Sequence, residues 1–311
     1  GKQMKIVFMG TSDFSVCCLK KLLDEKFDVA AVVTQPDKVR GRREAESFSP
    51  VKKLALERGV RVLQYEKVSR EGMDDLRAIG PDVIVTAAFG QILSEELLSL
   101  PPMGVLNVHA SLLPKYRGSA PIQWAIICGE KKTGVTIMKT AYKVDSGDMI
   151  LTKEIDVLPT DTAGTMFDKL AEIGAEALTE ALRQVENGTA KFTPQNEAEA
   201  THYPRFQKED GEINFDKTAS ELDCFVRGVT PWPGAFSKLN GKTFKVFAVE
   251  KTEGKGDAGE IIFADSKRGL VVACRGGAVR LKEIQPENGK RMSDSSFLLG
   301  HGLTVGDKFG G

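Results

Sequence analysis

Residues 82–87 read DVIVTA, one polar residue followed by an apolar run with no alternation. A strand solvated on one face alternates apolar with polar, whereas a strand covered on both faces does not. Runs of this kind belong to parallel sheets flanked by helices. Residues 4–9, MKIVFM, have the same character and stop at Gly10, and 29–34, VAAVVT, repeat it. Between these runs the apolar spacing becomes helical. A helix is expected over 14–23, entered through Ser12 and Asp13, with others over 51–58, 73–79, 91–98, 120–127 and 165–185. Shorter strands fall at 61–63, 104–108, 134–138 and 149–155. The alternation predicts an α/β fold built on a doubly wound, mostly parallel, Rossmann-like sheet.

The texture changes after about residue 189. Residues 189–209 are polar and irregular. A helix over 219–226 and short strands at 243–249, 259–263, 269–273 and 278–284 follow, separated by glycines and charged turns. That pattern predicts a smaller C-terminal β-barrel of OB-like type. The chain is therefore read as a catalytic domain over 4–188, a linker over 189–205 and a second domain over 206–311; residues 1–3 are set aside. A chain of 311 residues suits two domains.

Composition excludes several classes. The 43 Lys and Arg balance 43 Asp and Glu, so a nucleic-acid partner must be met by local patches rather than by the global field. Five cysteines with no CxxC pair and no His/Cys cluster argue for a reducing compartment, against a disulfide framework and against a metal site. No run of 18 apolar residues is present, so no membrane span is expected, and no leader pattern precedes the first strand. Gly10-Thr11-Ser12-Asp13 is not a dinucleotide glycine motif, Thr34-Gln35 stands where a ribose-binding acid belongs, and no P-loop occurs. The site is expected beyond the carboxyl ends of the strands, near 87–90, 108–111 and 138–145.

There the stretch 107–118, NVHASLLPKYRG, brings an amide and an imidazole two residues apart on one strand face. Asp145 follows the strand at 134–138, in a loop reaching the same edge. A lone His in an α/β protein is more often structural, and Asp before Ser-Gly is ordinary turn chemistry. Together, however, Asn107, His109 and Asp145 supply a donor pair for a developing oxyanion and a carboxylate base, with no nucleophile on a tight turn and no metal set. Acyl transfer to an amine fits those parts.

The same residues carry a resemblance. Asn107-Val-His109 with Ser-Leu-Leu-Pro-Lys-Tyr-Arg-Gly behind it, then Ala120-Pro121, resembles the core motif of the folate-dependent formyltransferases. DSGD at 145–148 resembles that family's second motif. GTSDFS at 10–15, TQPDK at 34–38 with GR at 41–42, SPVKKLA at 49–55 and PWPGAF at 231–236 extend the likeness almost end to end. The resemblance implies a formyltransferase catalytic domain and a C-terminal tRNA-binding domain. It implies 10-formyltetrahydrofolate as donor, the α-amine of methionyl initiator tRNA as acceptor, no metal, a monomer and a bacterial-type cytoplasmic setting. Asn107 and His109, the latter as the cation, would stabilise the oxyanion, and Asp145 would orient His109 and accept a proton. Phe89, Gly90, Gln91, Ile92 and Leu93 with Ser111, Leu112, Leu113 and Pro114 would line the folate pocket. Lys38, Arg40, Arg42 and Arg43 would meet the tRNA. Here the sequence departs from the family's strongly basic loop, because Glu44 and Glu46 follow these cations.

Three alternatives share parts of this reading: a sugar-nucleotide amine formyltransferase, a folate hydrolase releasing formate, and a non-catalytic RNA-binding protein. The last leaves Asn107, His109 and Asp145 without a role. The first two are separated by where the formyl group goes.

Overall fold

The computed structural model describes residues 3–39 and 41–310. In chain order the elements are β1 (Lys5–Gly10), α1 (Asp13–Asp24), β2 (Asp28–Thr34), α2 (Pro50–Glu57), β3 (Val62–Gln64), α3 (Val68–Glu71), α4 (Met73–Ile79), β4 (Val83–Ala87), α5 (Glu95–Ser99), β5 (Val105–His109), α6 (Pro121–Ile127), β6 (Lys132–Lys139), β7 (Met149–Asp156) and α7 (Ala163–Asn187). There follow α8 (Ala219–Val229), β8 (Ala235–Leu239), β9 (Lys242–Thr252), β10 (Ile261–Asp265), β11 (Gly269–Cys274), β12 (Gly277–Pro286), β13 (Met292–Ser293) and α9 (Asp294–Gly300).

The first sheet has the order β3-β2-β1-β4-β5-β6-β7. Strands β3 to β5 run parallel, and β6 turns antiparallel against β5. Every residue of β4 is buried, which is why its sequence does not alternate. On one face Val7, Met9, Ile84 and Val105 pack with Leu76 and Leu97. The second sheet is antiparallel, in the order β10-β11-β12-β9-β8 with β13 paired to β12. Its core joins Val246, Leu270, Val272 and Leu281 to Leu222 and Val226 of α8 and to Phe244, Phe297 and Phe309.

The chain forms two compact units, and the division is not a single cut. The first unit runs to Ser119 and takes up Lys132–Ile155 and Phe167–Tyr203, while Ala120–Lys131 and Asp156–Met166 group with the chain from Pro204 onward. In that second unit α6 packs on α8 at a contact that needs a glycine. A Cβ at Gly228 would stand 2.5 Å from Ile127 Cγ1 and 3.0 Å from the Gln123 carbonyl. Gly228→Ala is therefore expected to cost about 1–3 kcal/mol, read as a lower denaturant midpoint.

The segment expected to link the domains is tied along the first unit as far as Tyr203. Met149 and Thr193 exchange backbone bonds of 2.8 and 2.9 Å, and Arg117 N donates to Thr201 O at 2.9 Å. The expected helix over 91–98 forms only as α5. Gln91 spends its amide on Tyr65 O and on Val68 N, both at 2.8 Å, and Ser94 caps the helix by accepting from Leu97 N. Strands β8 and β13 and helix α9 have no counterpart in the sequence reading. The Pro-Gly turn at 231–234 hides β8, and the serines capping α9 read as loop.

Candidate active site

The site is assembled at the carboxyl ends of β1, β2, β4 and β5. Register sets Thr86 of β4 opposite Asn107 of β5. Asn107 Nδ2 donates to Thr86 Oγ1 at 2.7 Å, and its longer contact to Thr86 O, 3.4 Å, leaves that side of the amide loosely held. Because the carbonyl only accepts, the NH₂ end of the amide is fixed toward Thr86.

His109, 7% exposed, ends β5. Its Nε2 lies 2.8 Å from the Tyr116 carbonyl and so carries the proton, and Nδ1 faces Asp145 Oδ1 at 3.6 Å. That gap is an electrostatic contact rather than a hydrogen bond, and it leaves both atoms able to engage a third group. Asp145 Oδ2 accepts from Gly118 N at 2.8 Å. Asp145 itself sits at φ 55, in the left-handed region. Thus Asp145, from the loop after β6, comes to His109 at the carboxyl end of β5, the strand that also carries Asn107 two residues earlier.

The segment 116–118 hydrogen-bonds both His109 and Asp145, and its own geometry is dictated by packing. Gly118 has φ 109, and a Cβ there would sit 2.8 Å from Tyr203 O. Arg117, 6% exposed, gives Nε and Nη2 to Gln195 Oε1 at 3.2 and 2.8 Å. It also forks onto the Glu197 carboxylate at 3.0 and 2.8 Å. The Glu197 hydrogen bond raises the Arg117 pKa against the opposing effect of burial, and the same bond holds the Glu197 carboxyl below its ordinary range. Thr86, Arg117, Gln195 and Glu197 were not picked out as site residues from the sequence. Arg117 lay inside a quoted motif, but Gln195 and Glu197 lie in the stretch read as a linker and carry no local signal.

The expected folate-lining residues divide. Phe89 is buried, with its carbonyl held by Thr11 Oγ1 at 3.1 Å. The Gly90 carbonyl accepts from Gln35 Nε2 at 3.1 Å, and Gln91 Nε2 reaches Gln35 Oε1 at 2.8 Å. Ile92 is 85% exposed, an apolar side chain that a flat ring could cover, and Leu93 is half-buried. Ser111 is fully buried and works as a turn residue, its hydroxyl on Lys115 O at 2.7 Å; Leu113 is also buried, so of the four only Leu112 and Pro114 have exposed surface.

The loop after β2 is anchored at both ends. Lys52 Nζ reaches Asp37 Oδ2 at 2.7 Å and Gln64 Oε1 at 3.0 Å, while its ammonium sits 3.6 Å from the Phe48 ring centroid. Lys38, Arg42 and Arg43 are exposed on it, and Arg40 lies outside the described residues. Among the described residues no His/Cys/Asp/Glu group could hold a metal ion, and no helix is long and apolar enough to cross a membrane.

An α/β sheet presenting an amide, an imidazole and a carboxylate, in a chain that also carries an antiparallel unit, defines a class. The formyl transferase family model matches residues 4–182, and its C-terminal domain model matches 205–302. The chain belongs to the formyl transferase family. Methionyl-tRNA formyltransferases are among its full-length relatives. That of Caldanaerobacter subterraneus is 47% identical over 97% of this chain and 99% of its own length. That of Macrococcus caseolyticus is 48% identical over 98% of each chain. Among solved structures, an N-formyltransferase of Helicobacter canadensis in complex with folinic acid and dTDP-3-aminofucose matches with TM-score 0.67 at 19% identity, over 93% of this chain and 100% of that one. HypX of Aquifex aeolicus in complex with tetrahydrofolic acid matches with TM-score 0.65 at 19% identity, over 99% of this chain and 51% of that one. At that identity both establish a shared fold.

Proposed function

We infer that the protein transfers the formyl group of 10-formyltetrahydrofolate to the α-amine of methionyl initiator tRNA. The observation that carries this reading is the convergence of Asn107, His109 and Asp145 in a chain whose full-length relatives, 43–48% identical, are methionyl-tRNA formyltransferases. The amine nitrogen attacks the formyl carbon, and the carbonyl oxygen becomes an oxyanion. Asn107 Nδ2 donates to that oxygen, and His109, acting as the cation with Nε2–H kept on the Tyr116 carbonyl, donates from Nδ1, which is where preorganised donors contribute most. The amine proton passes to Asp145, directly or through water. The oxyanion then collapses, the bond to N10 of the folate breaks, and N10 leaves carrying a proton. The products are formylmethionyl-tRNA and tetrahydrofolate. Ile92, Leu93, Leu112 and Pro114 would wall the folate ring, with the backbone of Phe89–Leu93 as polar edge. Formyl-labelled folate should pass its label to methionyl-tRNA. Label recovered on a sugar amine or as formate would overturn the reading.

Lys38, Arg42 and Arg43 would meet the acceptor end. Arginine reads a base edge with two parallel hydrogen bonds, which lysine cannot do. Arg42→Lys is expected to narrow the kcat/KM gap between initiator and elongator tRNA. Lys38→Ala is expected to weaken both tRNAs equally and reduce the salt slope by about one unit. Assays on both tRNAs at two salt concentrations decide this, and equal loss on both for Arg42→Lys would reduce the loop to a source of charge.

A further inference from the structure

We propose that Gln195, clamped by Arg117, which Glu197 in turn holds, is a positioning residue that keeps the Asp145 loop against His109, so that the segment after α7 sets the geometry of the catalytic groups. The proposal rests on the formyl-transfer reading of Asn107, His109 and Asp145.

Gln195 is 9% exposed and its amide makes four hydrogen bonds. Nε2 donates to the carbonyls of Asp145 and Gly147, both at 2.8 Å. Oε1 accepts twice from Arg117. A guanidinium is donor-only and a backbone carbonyl is acceptor-only. The amide therefore has one orientation. Flipped, it would set NH₂ against the guanidinium and its oxygen against two carbonyls, losing all four bonds. Glu197 locks Arg117 from the other side through a bidentate pair.

What this clamp holds is otherwise unfavourable. Asp145 is a non-glycine residue at φ 55. Such a conformation is disfavoured for a residue with a Cβ, though less so for Asp than for most, and persists where the surroundings over-determine it. Gly147 allows no other residue, since a Cβ there would fall 1.7 Å from Lys139 O. The turn 145–147 is thus pinned by Gln195 at two carbonyls and by Gly118 N at the carboxylate. Beyond Gln195, past a 3-10 turn at Glu197–Glu199, the chain also fixes 116–118: Thr201 Oγ1 accepts from Tyr116 N at 2.8 Å, and Thr201 O accepts from Arg117 N at 2.9 Å. Tyr116 O in turn holds His109, and Gly118 N holds Asp145. One segment therefore sets the relative placement of the imidazole and the carboxylate.

The test uses the full-length protein in formyl transfer from 10-formyltetrahydrofolate to methionyl initiator tRNA. A displacement of about 1 Å in a catalytic group lowers the rate about 10²-fold. Gln195→Ala is expected to lower kcat by about 10- to 100-fold with KM for both substrates nearly kept. Gln195→Glu keeps the volume and the Arg117 pair but sets an acceptor against the two carbonyls, and it is expected to lower kcat similarly while remaining folded. In an Asp145→Asn background, Gln195→Ala is expected to cost no more than about twofold, because residues acting as a unit are not additive. Loss of the same size in both backgrounds, a loss confined to KM, or wild-type kcat in either Gln195 variant would overturn the proposal. Absence of formyl transfer by the wild-type protein would sink the functional reading itself. A rate loss in Asp145→Asn with none in Gln195→Ala would sink only the positioning role.

Discussion

His109→Ala is expected to lower kcat for formyl transfer by about 10²–10³-fold while folate affinity stays nearly unchanged. The imidazole spans the site, with Nε2 on the Tyr116 carbonyl and Nδ1 toward Asp145. Its ring is almost wholly enclosed, so truncation leaves a dry gap where the oxyanion charge should be met. Those contacts are made to protein, not to a ground-state ligand, so the loss falls on the transition state. Asn107→Ala is expected to act alike, since its amide is already oriented by Thr86 and needs no reorganisation during the reaction. The double variant is expected to lose less than the product of the two single losses, because both donors would serve one oxygen in the proposed mechanism. Single-turnover rates with saturating folate and methionyl-tRNA give the measurement. Near wild-type kcat in either single variant would remove that residue from the mechanism.

Asp294→Ala is expected to destabilise the second unit by about 3 kcal/mol, the lower end of the cost of breaking a buried ion pair. Asp294 is 1% exposed at the start of α9. Oδ2 accepts from Arg280 Nε at 2.8 Å and from Leu270 N at 2.9 Å, and Oδ1 accepts from Arg280 Nη2 at 3.0 Å and Ser295 N at 2.8 Å. The lower end applies because the Arg280 side chain is 29% exposed and, once unpaired, reaches water. Burial pushes the Asp294 carboxyl up, but Arg280 and the two amides outweigh it and leave the group below its ordinary range. A carboxylate lowered in the folded state contributes stability that is present above its unfolded pKa, about 3.9, and lost as pH falls through the folded value. Wild-type stability should therefore decline below about pH 4, and Asp294→Asn should flatten part of that decline. Equilibrium unfolding between pH 7 and 3 checks both. An Asp294→Ala protein as stable as wild type would show the pair to be dispensable.

A C-terminal truncation near Arg205 looks like a clean test of tRNA binding when the chain is read as two successive domains. The packing makes it unsuitable. Helix α6, from the middle of the chain, lies on α8, and Trp124 stacks on Phe206 with ring centroids 4.8 Å apart. Cutting the chain would strip the cover from that apolar surface. Point substitutions in the full chain avoid the problem.

The sequence alone determined the character of the first sheet, because a strand buried on both faces must be apolar throughout, as in Val83–Ala87. It also determined that Asn107 and His109 share a face, since a strand repeats every two residues. Asp145 followed from its loop position and from family likeness. Only the tertiary structure decided what holds these groups. Gln195 reaches Asp145 across fifty positions of chain, Thr86 reaches Asn107 through sheet register, and a backbone carbonyl at Tyr116 holds His109. Such contacts leave no trace in local pattern, because a glutamine in a polar stretch looks the same whether it is solvated or buried against a guanidinium. The interleaving of Ala120–Lys131 with the second unit is hidden for a similar reason. An amphipathic helix announces that one face will be covered, and only the fold chooses what covers it.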